Sequence, residues 1–81
     1  MSEYIKKLKR QIEIVGKALS SKDKFTVLDL AIEHNVEVLT IKRDLAELRS
    51  RGIDIHSLKK EGIKILQPLK KELLKEFILE Y

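Results

Sequence analysis

The chain has 81 residues, a formal charge of +4 and no cysteine. That length bounds it to one small domain with a marginal core, and the missing cysteines exclude a disulfide framework and a thiolate metal site. No apolar run approaches the roughly 18–20 residues of a membrane span, and the start M-S-E-Y-I-K-K lacks the apolar centre of a secretory signal, so a soluble cytoplasmic protein is expected.

The first helix is expected over residues 1–20. Ile5, Leu8, Ile12, Val15 and Leu19 recur at spacings of three and four, and Tyr4, Ile14 and Ala18 widen that face. Ser20-Ser21-Lys22-Asp23 is polar and ends the pattern, and Lys24-Phe25-Thr26 fits a short strand edge. Thr26 and Asp29 have the spacing of a capping box, which starts a second helix running to about His34. Asn35 suits the left-handed conformation of a tight turn, and a third helix follows from about Glu37 to Arg51. Gly52 stops it, with Arg49 and Arg51 in a last turn that favours cations. Ile53 and Ile55 then alternate with Asp54 and His56, and Ile63 and Ile65 flank Lys64, which is the period of a hairpin with Leu58-Lys59-Lys60-Glu61 at its tip. Pro68 fits the first turn of a final helix over 68–81. The expected class is therefore mainly α with a small β-hairpin, an α+β fold in a single domain.

Ala31, Asn35, Val36 and Ile41 place a small residue, a turn former and a branched plug where two crossing helices need them. With these offsets, L-A-x5-V-x3-T-I-K-R-D-L-x2-L-R-x2-G resembles the helix-turn-helix signature of DeoR-type regulators. G-I-D-I-H-S-L-K-K-E-G-I-K-I resembles the wing of the N-terminal domain of biotin protein ligase/repressors. The resemblance covers about Ile5 to Leu66. It implies a winged helix-turn-helix, with residues 26–51 as the two-helix unit and 53–66 as the wing, extended here by a C-terminal helix. It also implies sequence-specific binding of duplex DNA and transcriptional control, usually as a dimer. In those families a larger sensor or catalytic domain follows, so the chain reads as either an excised domain or a stand-alone protein. Four positions depart from the pattern: Glu37 replaces a Ser or Thr cap, Asn35 a glycine, Glu61 a basic residue and Ile63 an aromatic.

With Ile41 at zero and about 100° per residue, Val38, Leu45 and Leu48 fall on the buried side of the third helix. Leu39, Thr40, Arg43 and Glu47 fall opposite and are, with the flanking Lys42, the candidate DNA contacts of this helix; Asp44 also flanks. Arg43 is the central outward side chain, and a guanidinium forks onto guanine O6 and N7; its surface alternative is an i,i+4 pair with Glu47. Thr40 and Lys42 suit phosphates, and Leu39 suits a thymine methyl. Asp44 is expected to pair with a base of the first helix. In the wing, Ser57, Lys59 and Lys60 are the candidate DNA contacts, against a plain solvated turn. Lys6, Lys7, Lys9 and Arg10 are read as a solvated face.

Charge is uneven. Residues 1–24 carry seven Lys/Arg against three Asp/Glu, whereas residues 25–51 carry four against five. A basic protein favours polyanions, but the unit expected to read DNA is nearly neutral. His34 and His56 lack metal-ligand spacing, no serine has a plausible catalytic base, and no glycine-rich phosphate loop is present. No catalytic residue, cofactor, metal or small-molecule site is expected. Leu69, Leu73, Leu74, Phe77, Ile78 and Tyr81 line one face of the final helix and read as a homodimer interface, against packing on their own domain. Two alternatives stay open: a winged helix used as a protein–protein assembly module, and the regulatory N-terminal fragment of a biotin-ligase-like protein.

Overall fold

A computed structural model describes residues 2–20 and 22–67. Helices α1 (Glu3–Ser20), α2 (Val27–His34) and α3 (Val38–Ser50) are followed by strands β1 (Ile55–Leu58) and β2 (Gly62–Ile65). The two strands form one antiparallel sheet. The described part is thus mainly helical with a small sheet, an α+β arrangement. The helix expected over 68–81, with its six apolar interface residues, lies outside the described residues.

Both ends of the α2–α3 unit follow from side chains at fixed positions. At the start of α2 the Thr26 hydroxyl accepts from Asp29 N at 3.1 Å, and the Asp29 carboxylate accepts from Thr26 N at 2.8 Å. This reciprocal box satisfies two backbone donors that a helix start leaves orphaned. At its end Asn35 is left-handed (φ 53, ψ 49). Val36 N donates to Ala31 O at 3.0 Å and Asn35 N to Ile32 O at 3.2 Å. These are the two bonds of a Schellman cap, with Ala31 and Val36 both turned to the core. The end of α3 repeats the motif. Gly52 has φ 96, Ile53 N donates to Leu48 O at 3.1 Å, and Gly52 N donates to Arg49 O at 3.0 Å.

The helices meet in one core formed by Leu8, Ile14 and Val15 of α1, Leu30 and Ala31 of α2, and Ile41, Leu45 and Leu48 of α3. Ile53, Ile55 and Ile63 close it from the hairpin. On α1 the buried face is turned from the expected one. Gln11 is fully buried at its centre, while Tyr4 and Leu19 are about half exposed. The reason is polar: Gln11 Nε2 donates to Asp44 at 3.2 Å and to Glu47 at 3.3 Å, which draws that side of α1 onto α3.

In the hairpin Ile55 pairs with Ile65, His56 with Lys64, Ser57 with Ile63 and Leu58 with Gly62, leaving Lys59-Lys60-Glu61 as the turn. Gly62 has φ +78, and a Cβ there would lie 2.5 Å from Phe25 O. Only glycine satisfies both constraints. The approach lets Ile63 N donate to Phe25 O at 2.9 Å, which fastens β2 to the segment leading into α2. The short strand edge expected at Lys24–Thr26 is therefore a single hydrogen bond, not a strand.

Candidate nucleic-acid interface

The solvent face of α3 is set by what the other side must bury. Ile41, Leu45 and Leu48 are core, and so is Asp44, which is 1% exposed. A buried charge requires a partner that satisfies its hydrogen bonds. Arg10 supplies it, with Nε and Nη2 donating to the two carboxylate oxygens of Asp44, the second at 3.0 Å. The guanidinium is held above its ordinary pKa, first by the hydrogen bond from Arg10 to Asp44. The expected pairing of Asp44 with a base of the first helix is thus Arg10–Asp44.

This pair widens the inward side of α3 and moves its outward face. Leu39, Lys42, Arg43, Ala46, Arg49 and Ser50 are exposed, a stripe at spacings of three and four. Thr40 is half-buried at the edge. Glu47 departs from expectation: it turns towards α1, where Lys7 Nζ bonds it at 2.9 Å and Gln11 adds a second donor. It does not pair with Arg43. A helical wheel centred on the apolar residues puts Glu47 outside because it takes no account of Asp44, whose burial brings that whole side against α1. Ala46 and Arg49 belong to the outward stripe in addition to the expected residues.

The charges of α3 and the hairpin divide sharply. The acidic side chains are largely engaged: Asp44 by Arg10, Glu47 by Lys7, and Asp54 by His56 at 2.6 Å. Likewise, Asp29 caps its own helix and Glu33 takes Lys17 at 2.8 Å. By contrast, Lys42, Arg43, Lys59, Lys60 and Lys64 have no hydrogen-bond or ion-pair partner among the described residues. Of the four bases expected on a solvated α1 face, Lys6 and Lys9 are exposed, whereas Lys7 and Arg10 turn to Glu47 and Asp44 of α3. Within the near-neutral stretch 25–51, Lys42 and Arg43 are thus without partners among the described residues, and the three hairpin lysines add to them. Glu37 and Glu61 remain exposed, and Glu37 makes no side-chain capping bond at the start of α3.

Between α3 and β1 lies an open groove of about 410 Å³, lined by Val27, Lys42, Leu45, Arg49, His56, Ser57 and Leu58. It joins two of the expected contact residues, Lys42 and Ser57, across the two elements. Arg49 Nη1 donates to Ile55 O at 2.9 Å, tying the last turn of α3 to the first residue of the hairpin. Lys59 and Lys60 are exposed at the hairpin turn. Arg49 and His56 are site residues that the sequence pattern alone does not single out. A signal for Arg49 exists, since it lies seven residues after Lys42 on one helical face.

A larger groove of about 460 Å³ runs between α1 and the α2–α3 turn, but Lys6, Lys9 and Arg10 share it with Glu3, Glu13 and His34. Mixed signs give no focused field there. Among the described residues no group of three or more His, Asp or Glu could hold a metal ion, and no helix is long and apolar enough to cross a membrane. No family model, curated protein or solved structure matches the chain.

Proposed function

We propose that the chain is a winged helix-turn-helix domain that binds duplex DNA as a homodimeric transcriptional regulator. Helix α3 enters the major groove, and the hairpin serves as the wing on the adjacent groove or backbone. One observation carries this reading: the carboxylates of α3 are consumed by α1, while Lys42, Arg43, Lys59, Lys60 and Lys64 are left without partners among the described residues. A surface of unpaired cations on one exposed helix and one exposed turn fits the phosphates and base edges of a duplex. The apolar periodicity of residues 69–81 supports the homodimer. Selection of bound sequences from a random duplex library tests the reading. The expected product is a pseudo-palindrome with half-sites about one DNA turn, roughly 34 Å, apart or a multiple of it. No enrichment of any sequence contradicts sequence-specific binding.

A second reading, an assembly module, is favoured by the exposed apolar side chains Leu28 and Ile32 on α2 and Leu39 on α3, which are 58%, 72% and 52% exposed. It predicts that Leu28→Glu/Ile32→Glu abolishes association with a protein partner. Under the DNA reading the same pair leaves duplex affinity nearly unchanged, because the DNA contacts lie on α3 and the hairpin.

A further inference from the structure

The groove between α3 and β1 is lined by an imidazole, whose ring nitrogens can each donate or accept a hydrogen bond. His56 lines it with Lys42, Arg49 and Ser57. The ring is fixed at one nitrogen: Nε2 lies 2.6 Å from Asp54 Oδ1. Beside an ionised carboxylate the neutral ring keeps its proton on Nε2, because a lone pair there would face the carboxylate oxygen. Nδ1, which has no partner among the described residues, is then an acceptor and repels a phosphate oxygen. Protonation turns Nδ1 into a donor and adds one positive charge to the groove.

The surroundings favour an anion. Lys64 is the cross-strand neighbour of His56, and Lys42 and Arg49 line the same groove from α3. Among the described residues Asp54 is the one carboxylate bonded to His56, and Val27 of α2 brings no charge. Ser57 also lines the groove and is exposed. An oxyanion seated there would meet two fixed cations and a hydroxyl at any pH, and a third cation only when His56 is protonated.

We propose that the groove between α3 and β1 is a binding site for a backbone phosphate of nucleic acid, completed by protonation of His56, so that the duplex is held more tightly in mildly acidic solution. The proposal rests on the duplex-binding reading above and assigns it a phosphate subsite and a pH dependence. Its sign is fixed: protonation of His56 tightens binding.

The test is fluorescence anisotropy on a labelled random-sequence duplex at about pH 5.5 and about pH 8, which bracket imidazole titration. Each titration is repeated over a salt series, with His56→Gln, His56→Lys and His34→Gln beside the wild type. Circular dichroism checks that each variant is folded. One charge-assisted hydrogen bond gained per groove corresponds to about tenfold tighter binding at the lower pH. The slope of log K against log salt steepens by about 0.9 per phosphate engaged. His56→Gln should bind weakly and His56→Lys tightly at both pH values, each with one salt slope, while His34→Gln keeps the wild-type pH dependence. Wild-type affinity equal at the two pH values overturns the proposal, as does a pH dependence that survives in both His56 variants; either leaves duplex binding standing. Loss of the pH dependence in His34→Gln assigns it to the other histidine and overturns it too. Absence of duplex binding at both pH values overturns the duplex reading itself, a distinct outcome. Titration of inorganic phosphate, followed through the His56 ring signals, separates sources: shifts as large as those with duplex at equal phosphate would mean a free-phosphate site and overturn the backbone assignment.

Discussion

Two glycines make opposite predictions at the scale of single residues. Gly62 holds φ +78 with its Cα against the Phe25 carbonyl. Gly62→Ala should destabilise the fold by at least about 2 kcal/mol, from left-handed strain and from the displaced Phe25–Ile63 contact. Gly16 sits exposed in α1, and a methyl added there would meet no neighbouring element within 4 Å. Gly16→Ala should stabilise by about 0.5–1 kcal/mol through helix propensity. Chemical denaturation of both variants measures the pair, and equal effects would contradict the packing described. On the outward face of α3, Arg43→Ala should cost about 1–3 kcal/mol on the selected sequence and relax preference at one base pair per half-site. Lys59→Ala should weaken all sequences about equally. If Arg43→Ala also weakens all sequences equally, Arg43 is a phosphate contact. The outward position of Arg43 was legible from helical period alone. Glu47 was not, because its direction is decided by Lys7 and Gln11, residues 40 and 36 positions away.

At the scale of elements, the contact between α1 and α3 is polar at its centre. Arg10→Met leaves Asp44 buried with only Gln11 as donor, and should destabilise by about 3–5 kcal/mol. Adding Asp44→Leu should recover much of that loss, because an uncompensated buried charge costs more than an apolar replacement of the pair. A double variant no more stable than Arg10→Met would contradict the assignment. Between α1 and α2, Lys17 bonds Glu33 and holds its carboxyl below the usual carboxylate range, chiefly through that hydrogen bond. A lowered carboxyl pKa contributes stability above the unfolded value and loses it as pH falls through the folded one. Glu33 is half exposed, so the pair is worth no more than about 1 kcal/mol. Glu33→Gln should therefore soften the acid limb of the stability curve only slightly. Element ends were the most legible part of the fold, since the Thr26–Asp29 box, Asn35 and Gly52 act through local backbone chemistry. The rotation of α1 was not, because Gln11 is buried by the acceptors that its Nε2 meets on α3, and apolar periodicity cannot register a buried polar side chain.

At the scale of the whole molecule, the net charge of +4 understates the field over α3 and the hairpin. Composition counts Asp44 and Glu47, which the fold engages with Arg10 and Lys7, so only the structure separates paired from free cations. Oligomeric state is a separate expectation from the sequence. Leu73→Glu/Phe77→Glu should convert a dimer to a folded monomer in sedimentation, with an operator affinity that falls to that of one half-site. A wild type that stays monomeric at high micromolar concentration would contradict it. The central claim is that the outward face of α3 and the hairpin turn grip duplex DNA. It is tested most directly by the salt dependence of duplex affinity, for the wild type beside Lys42→Ala/Arg43→Ala and Lys59→Ala/Lys60→Ala. The account predicts a wild-type slope of log K against log salt of roughly −4 or steeper, with each variant shallower by about 1–2. Flat affinity from low to physiological salt, or variants with the wild-type slope, would contradict it.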